Sequence, residues 1–193
     1  MADTSKIITP QRYSLGFTYE GYLAQIPSNR ERYQEHNANF KLSSEDAKFF
    51  MDINRRLDGV KVLAIVEDWC PDAHRGLPII ARIAQASGME LRVFYRDKNP
   101  DIMNLYLNQG KFQSIPVFAF FDKNLNPLFH WTERPRIATR FMEEMSAGLA
   151  GKKLSEEELR QERRKRNEPM ADSWRQETVK ELRELLSKVV DKK

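Results

Sequence analysis

Apolar positions along the chain fall first at helical spacing and later in short continuous runs. Glu20 to Phe40 carries Tyr22, Tyr33 and Phe40 with Pro27 in its middle, which predicts two short helical pieces. Ser43 or Ser44 with Glu45 and Asp46 reads as a helix start, an N-cap followed by first-turn acids. Phe49-Phe50, Ile53 and Leu57 then make one apolar face, and Asp58-Gly59 ends it. Val60 to Glu67 is an apolar run of strand length, as expected for a central strand covered on both faces. A helical pattern follows (Leu77, Ile79-Ile80, Ile83-Ala84) and stops at Ser87-Gly88, a good C-cap.

The alternation continues. Leu91 to Tyr95 predicts a second strand, and Asn99-Pro100-Asp101 opens a helix through Met103 and Tyr106 that Gly110 closes. Ile115-Pro116 leads into the apolar strand Val117 to Phe121, because proline is tolerated at a strand's mouth and not deeper. Asp122 to Asn126 is turn chemistry, Leu128 to Trp131 returns as a hairpin partner, and Arg136 to Leu149 is an amphipathic helix. The order from residue 60 is β-α-β-α-β-β-α. Its first two strands should lie parallel, joined by a right-handed crossover.

Beyond residue 150 the pattern changes. Ser155 with Glu158 forms a capping box, and Glu156–Arg160 and Glu162–Arg166 are favourable pairs four residues apart. Asn167-Glu168-Pro169 should break that helix, and Ser173 with Gln176 should cap a second, giving helices over 155–166 and 173–190. Val179, Leu182, Leu186 and Val189 share a face that needs cover, from this domain or from a second copy. The segments read as an N-terminal helical extension over 1–58, an α/β domain over 59–150 and a charged helical tail over 151–193.

The chain's single cysteine, Cys70, sits where the run Val60 to Val66 hands over to a helix, between Trp69 and Pro71. Pro71 suits the first helical position, where a missing N–H costs nothing. Free N–H groups at a helix start stabilise a thiolate, as do His74 and Arg75, whereas Glu67, Asp68 and Asp72 oppose one. His74 lies one turn after Cys70 and the pair share a face, but two ligands do not make a metal site and no further Cys or His lies near in sequence. Asp72 is most simply a first-turn acid, and His36 and His130 stand alone.

Composition narrows the setting. The chain has 193 residues, 40% apolar and 31% charged, enough for one domain with an appendage. A lone cysteine excludes an intramolecular disulfide and suits a reducing cytosol. The polar start through Gln25 has no charged-then-apolar leader, and no apolar run approaches membrane length, so a cytoplasmic protein is expected. Residues 151–193 carry 13 Lys/Arg against 10 Asp/Glu and the remainder 19 against 18, so the tail sets the basic balance. The run Arg160 to Arg166 interleaves acids and no aromatics, which favours a solvated helix over nucleic-acid binding. No glycine-rich phosphate loop is present, and no cofactor is expected.

Strand, Trp69-Cys70-Pro71, helix, with Pro78 inside that helix and Ile115-Pro116 before a later strand, resembles the thioredoxin superfamily. A closer resemblance is to a bacterial group of thioredoxin-like proteins with a Trp-Cys-x-Asp turn, whose later stretches are similar to Tyr95-Arg96-Asp97, Asn104 to Gly110 and Trp131 to Pro135. The resemblance implies a three-layer α/β/α sandwich, Cys70 as the reactive residue and a cis Ile115-Pro116 bond beside it. It also implies that Trp69, Pro71, Asp72, Ala73, His74, Ile115 and Pro116 support the site or line a substrate groove. Two departures matter. Ala73 stands where thioredoxin has its second cysteine, and Ala64 where the family has a buried acid. Both losses fall on the release half of the redox cycle. Two functions follow: a monothiol protein exchanging with protein or small-molecule thiols and disulfides, an enzyme only if Cys70 turns over, or a non-catalytic binding module. A homodimer through the C-terminal helix stays open.

Overall fold

The computed structural model describes residues 4–192. Its centre is a four-stranded sheet in the order β2-β1-β3-β4, built from β1 (Val60–Val66), β2 (Glu90–Tyr95), β3 (Val117–Asp122) and β4 (Pro127–Thr132). β1 pairs parallel with β2, Ala64 opposite Val93, and antiparallel with β3, Ala64 opposite Phe118. The β3–β4 hairpin is antiparallel, with a register shift at Phe120 and Phe121. β1 lies inside the sheet, and six of its seven residues are buried. That is why it reads as a continuous apolar run rather than an alternating one.

Four helices precede the sheet: α1 (Pro10–Ser14), α2 (Tyr19–Gln25), α3 (Arg30–Asn39) and α4 (Ser44–Arg56). Ser43 caps α4 through the Asp46 N–H. α1 has no periodic apolar pattern and was not expected. It is held by Tyr13, whose hydroxyl reaches the carbonyls of Val62 (3.2 Å) and Glu90 (2.9 Å). Phe17 then bridges to Val93 at the outer side of β2. The extension therefore shares one hydrophobic core with the sheet.

Between β1 and β2 runs α5 (Pro71–Ser87), with Pro78 inside it and Gly88 in the left-handed region as its C-cap. α6 (Pro100–Met103) tightens into a 3-10 turn at Asn104–Tyr106, and α7 (Arg136–Leu149) follows the hairpin. Helices cover both faces of the sheet, a thioredoxin-like α/β/α arrangement with helical parts at both ends. The Ile115-Pro116 bond is cis.

The tail corrects one expectation. α8 (Glu156–Asn167) runs through a 3-10 turn (Glu168–Met170) directly into α9 (Ala171–Val190). Pro169 falls in the first turn of that 3-10 segment, where its missing N–H breaks nothing. Ser173 consequently lies inside α9 and caps nothing; the N-cap is Met170, without a side-chain bond. The apolar face of α9 is buried in this domain's own core, with Leu182 and Leu186 fully covered. No helix among the described residues is long and apolar enough to cross a membrane.

Candidate functional site

β1 ends at Val66, and the next four residues turn the chain into α5 with Cys70 as its N-cap and Pro71 in the first helical turn. The Cys70 N–H donates to the Glu67 carbonyl (3.2 Å), and its own carbonyl accepts from the His74 N–H (3.1 Å). Its Sγ lies 3.6 Å from the Ile115 carbonyl oxygen, a contact between residues 45 apart in sequence. The turn is thus closed from above by the Ile115-Pro116 loop. Gly76 keeps that closure tight. A Cβ there would stand 3.1 Å from the Phe118 ring and 3.4 Å from the Pro116 ring.

The thiol is covered, with Cys70 only 6% exposed. Burial pushes the Cys70 thiol above its ordinary value of 9.0. The Ala73 N–H pulls it back, the Asp72 carboxylate pushes it up again, and the Asp72 N–H and Arg75 guanidinium pull it down. The sequence left open whether helix-start donors or neighbouring acids prevail. Desolvation, which neither side of that balance included, decides the direction: up.

His74 does not act as the expected cation. It is 7% exposed, burial lowers its pKa below the ordinary value, and its Nε2 donates to the Asp68 carbonyl (2.6 Å). Its ring packs edge-on against Tyr33 at 4.9 Å. It is a buried brace of the turn. Glu67 and Asp68 brace the turn as well. Asp68 Oδ2 accepts from Ser28 (2.6 Å) and Glu67 Oε1 from the Asp97 N–H (2.8 Å), while burial raises the Glu67 pKa.

Asp72 is more than a first-turn acid. It is 8% exposed and holds two guanidiniums, Arg75 at 2.8 Å and Arg134 at 2.6 Å. Arg134 comes from the loop after β4, inside the stretch Trp131 to Pro135. Ala73 is fully buried beside the thiol, and Ala64 is fully buried on β1, so both departures from the two-thiol pattern are filled by small apolar groups. Trp69 faces solvent at 51% exposure, with the Arg96 guanidinium 4.9 Å from its ring centre. Ile115 and Pro116 are buried against the site. All the residues singled out around Cys70 are therefore gathered in one place. Tyr33, Arg96 and Arg134 belong with them and escaped the sequence reading. Arg96 and Arg134 lie in two stretches of the resemblance, and Tyr33 showed only as one aromatic among several.

No group of three His, Cys, Asp or Glu side chains among the described residues is arranged to hold a metal. His36 and His130 are both remote from the thiol in role. His130, on β4, lies tilted against the Tyr106 ring at 5.3 Å, and His36 sits half-buried on α3.

Comparison with known proteins agrees with this geometry. A family model described as thioredoxin matches residues 16–146. No curated protein matches the chain in sequence. Among solved structures, a protein of unknown function from Pseudomonas aeruginosa superposes with a TM-score of 0.56 at 14% identity, covering 93% of this chain and 92% of that one. An HIV epitope-scaffold superposes with a TM-score of 0.58 at 12% identity, covering 91% and 94%. At such identities the likeness is one of fold.

Proposed function

The chain belongs to the thioredoxin family, and we propose that it is a single-cysteine member whose Cys70 forms mixed disulfides and depends on an external thiol for release. The observation that carries this reading is the placement of Cys70 as N-cap of α5, with the Ala73 and Asp72 N–H groups favouring its thiolate and the Ile115-Pro116 loop against its sulfur. In the first step the Cys70 thiolate, its proton lost to solvent base, attacks one sulfur of a disulfide R–S–S–R. Cys70–S–S–R forms and RS⁻ leaves. A thiolate R′S⁻ then attacks the R sulfur, giving R–S–S–R′ and returning Cys70 as a thiolate. Thioredoxin chemistry supplies that second thiol internally; here Ala73 occupies the position. Protein disulfides and small thiols are the partner class.

The second reading, a binding module without turnover, is favoured by the burial of Cys70 and its raised pKa, since only the thiolate is a nucleophile. The two separate by experiment. Wild-type protein treated with an aromatic disulfide should accumulate one adduct on Cys70, seen by mass spectrometry and removed by added thiol. Its rate should be slow at pH 7 and climb about tenfold per pH unit until it passes the ordinary thiol value. Absence of any adduct up to pH 9.5, with the fold intact by circular dichroism, leaves the binding module as the function.

A further inference from the structure

Cys70 must be reached before it can react, yet it is 6% exposed and its sulfur lies under the Ile115-Pro116 loop. Three contacts hold that loop down. On its near side the Arg96 guanidinium reaches the Gln113 carbonyl at 3.5 Å, the limit of a hydrogen bond. Over the thiol, the Ile115 carbonyl meets Cys70 Sγ at 3.6 Å. The third hold is shorter: the Glu133 N–H donates to the Pro116 carbonyl at 2.7 Å.

Glu133 belongs to a strap, residues 132–135, that leads from β4 into α7. Its φ is 64°, a left-handed backbone that a side chain makes costly. Contacts beyond the strap must therefore hold it there. Arg134, the next residue, makes one: its guanidinium meets the Asp72 carboxylate at 2.6 Å, with side chains 24% and 11% exposed. Asp72 stands in the first turn of α5, two residues after Cys70, and its other oxygen holds Arg75 at 2.8 Å. Cys70, the Ile115-Pro116 loop, the strap and Asp72 thus close a ring around the thiol. The Asp72–Arg134 pair ties the strap to the helix that starts at Cys70.

We propose that Arg134 is a positioning residue. Through Asp72 it latches the strap, and with it the Pro116 carbonyl, over Cys70, and the thiol is reached when this latch opens. The latch regulates the site assigned above and rests on the exchange reading only for what the opened thiol then does. Two features separate it from the fold. β3 begins at Val117, so the loop lies outside the sheet. Asp72 keeps Arg75 when Arg134 is lost, so Arg134→Gln leaves no buried carboxylate unpaired.

The experiment needs no disulfide. Iodoacetamide is small and neutral; the Cys70 thiolate displaces iodide from its carbon, and mass spectrometry locates the product. Rates from pH 7 to about 10 are fitted to a plateau and a midpoint, the plateau reporting access to the thiolate and the midpoint its acidity. Arg134→Gln and Asp72→Asn should each raise the plateau about tenfold. The double variant should match the singles, since each breaks the same contact. Arg134→Lys keeps an ion pair and should stay within about threefold of wild type. Tyr13→Phe loosens the fold at the other end of β1, where the hydroxyl meets the Val62 carbonyl, and should leave the plateau unchanged.

A moved midpoint with an unchanged plateau overturns the latch and leaves Arg134 as a charge alone. Effects that multiply in the double variant overturn it too, as does an equal rise in Tyr13→Phe. Thermal melting checks each fold. If Arg134→Gln does not fold, amide hydrogen exchange of the wild type still decides. The Glu133 N–H should exchange at least about tenfold faster than the Leu63 N–H of β1. Equal exchange would mean that the strap opens only with the whole fold, and the latch fails. Alkylation that follows the latch without any mixed disulfide forming would sink the exchange reading and keep the latch.

Discussion

α8 and α9 follow one another almost without a break, yet they are held by opposite means. α8 has every local device: a Ser155–Glu158 capping box, acids in its first turn, basic residues in its last, and the Glu156–Arg160 and Glu162–Arg166 pairs. None of its residues is buried. α9 begins without a side-chain cap, but it buries Trp174, Val179, Leu182, Leu186 and Val190 against the domain. It packs on α4, α5, α7 and β4. It also brings Trp174 to the helix that starts at Cys70, with the Arg75 guanidinium 5.7 Å from the Trp174 ring centre. Local signals specify that a helix exists; burial determines whether the rest of the molecule depends on it. The tail is therefore two pieces with different roles.

The largest test of that difference is a matched pair of charges. Leu182 is fully buried, so Leu182→Asp loses its packing and strands a carboxylate among apolar groups. A cost of about 5 kcal/mol or more is expected. Leu159 on α8 is only half-buried, and Leu159→Asp should change stability by about 1 kcal/mol or less. Urea unfolding of both variants measures the pair. Equal midpoints would erase the distinction between the two helices.

How far the sequence carries follows the same division. Strand β1, the Cys70 turn and the β-α-β-α-β-β-α order were legible because continuous apolar runs, a helix-start proline and turn residues act over a few positions. α8 was legible through its caps and charge pairs. The junction at Pro169 was misread because proline breaks a helix interior but not a first turn, and sequence does not say which turn it will occupy. α1 was invisible, since one helical turn has no period, and its anchor is a tertiary bond from Tyr13 to β1 and β2. At the site, the residues around Cys70 were legible as neighbours along the chain. The direction of its pKa was not. Burial of Cys70 comes from the Ile115-Pro116 loop, 45 residues away, and the Asp72–Arg134 bond closes over 62.

A smaller effect tests how α9 is fastened rather than whether it is. Glu181 is 6% exposed and accepts from Trp131 Nε1 (2.8 Å), the Arg136 N–H (2.8 Å) and Arg136 Nε (3.2 Å). This acid ties α9 to β4 and to the start of α7. Glu181→Ala strands the buried Trp131 indole N–H and the Arg136 backbone donor, a loss of about 3 kcal/mol by urea unfolding. Glu181→Gln keeps an acceptor oxygen and should lose less. On α8, Glu162→Ala removes the half-exposed Arg166 contact (2.6 Å) and should shift the midpoint little, by about 0.5 kcal/mol or less. A midpoint insensitive to Glu181→Ala would mean that apolar burial alone seats α9.

The smallest effect is electrostatic and reaches across the molecule. His36 on α3 is half-buried, and its pKa lies at about 4, set first by burial and then by Arg75, Arg175, His74 and Arg32. A histidine lowered in this way is neutral in the fold and charged more readily when unfolded. Its contribution to stability is therefore intact above the ordinary value of 6.5 and is lost as pH falls from there toward 4. Arg175 arrives at this corner from α9, so Arg175→Gln removes one positive neighbour and His36 should titrate higher. Burial is the larger cause and remains, so the rise should be only about a few tenths, well short of the ordinary value. Arg163→Gln on the exposed α8 removes the same charge and should leave His36 where it was. The measurement is an NMR pH titration of the His36 ring proton in the three proteins, with the acid limb of urea stability following it. A rise in Arg175→Gln alone would show that α9 acts on the Cys70 side of the fold through charge as well as packing. Equal behaviour of the two variants would confine its role to packing.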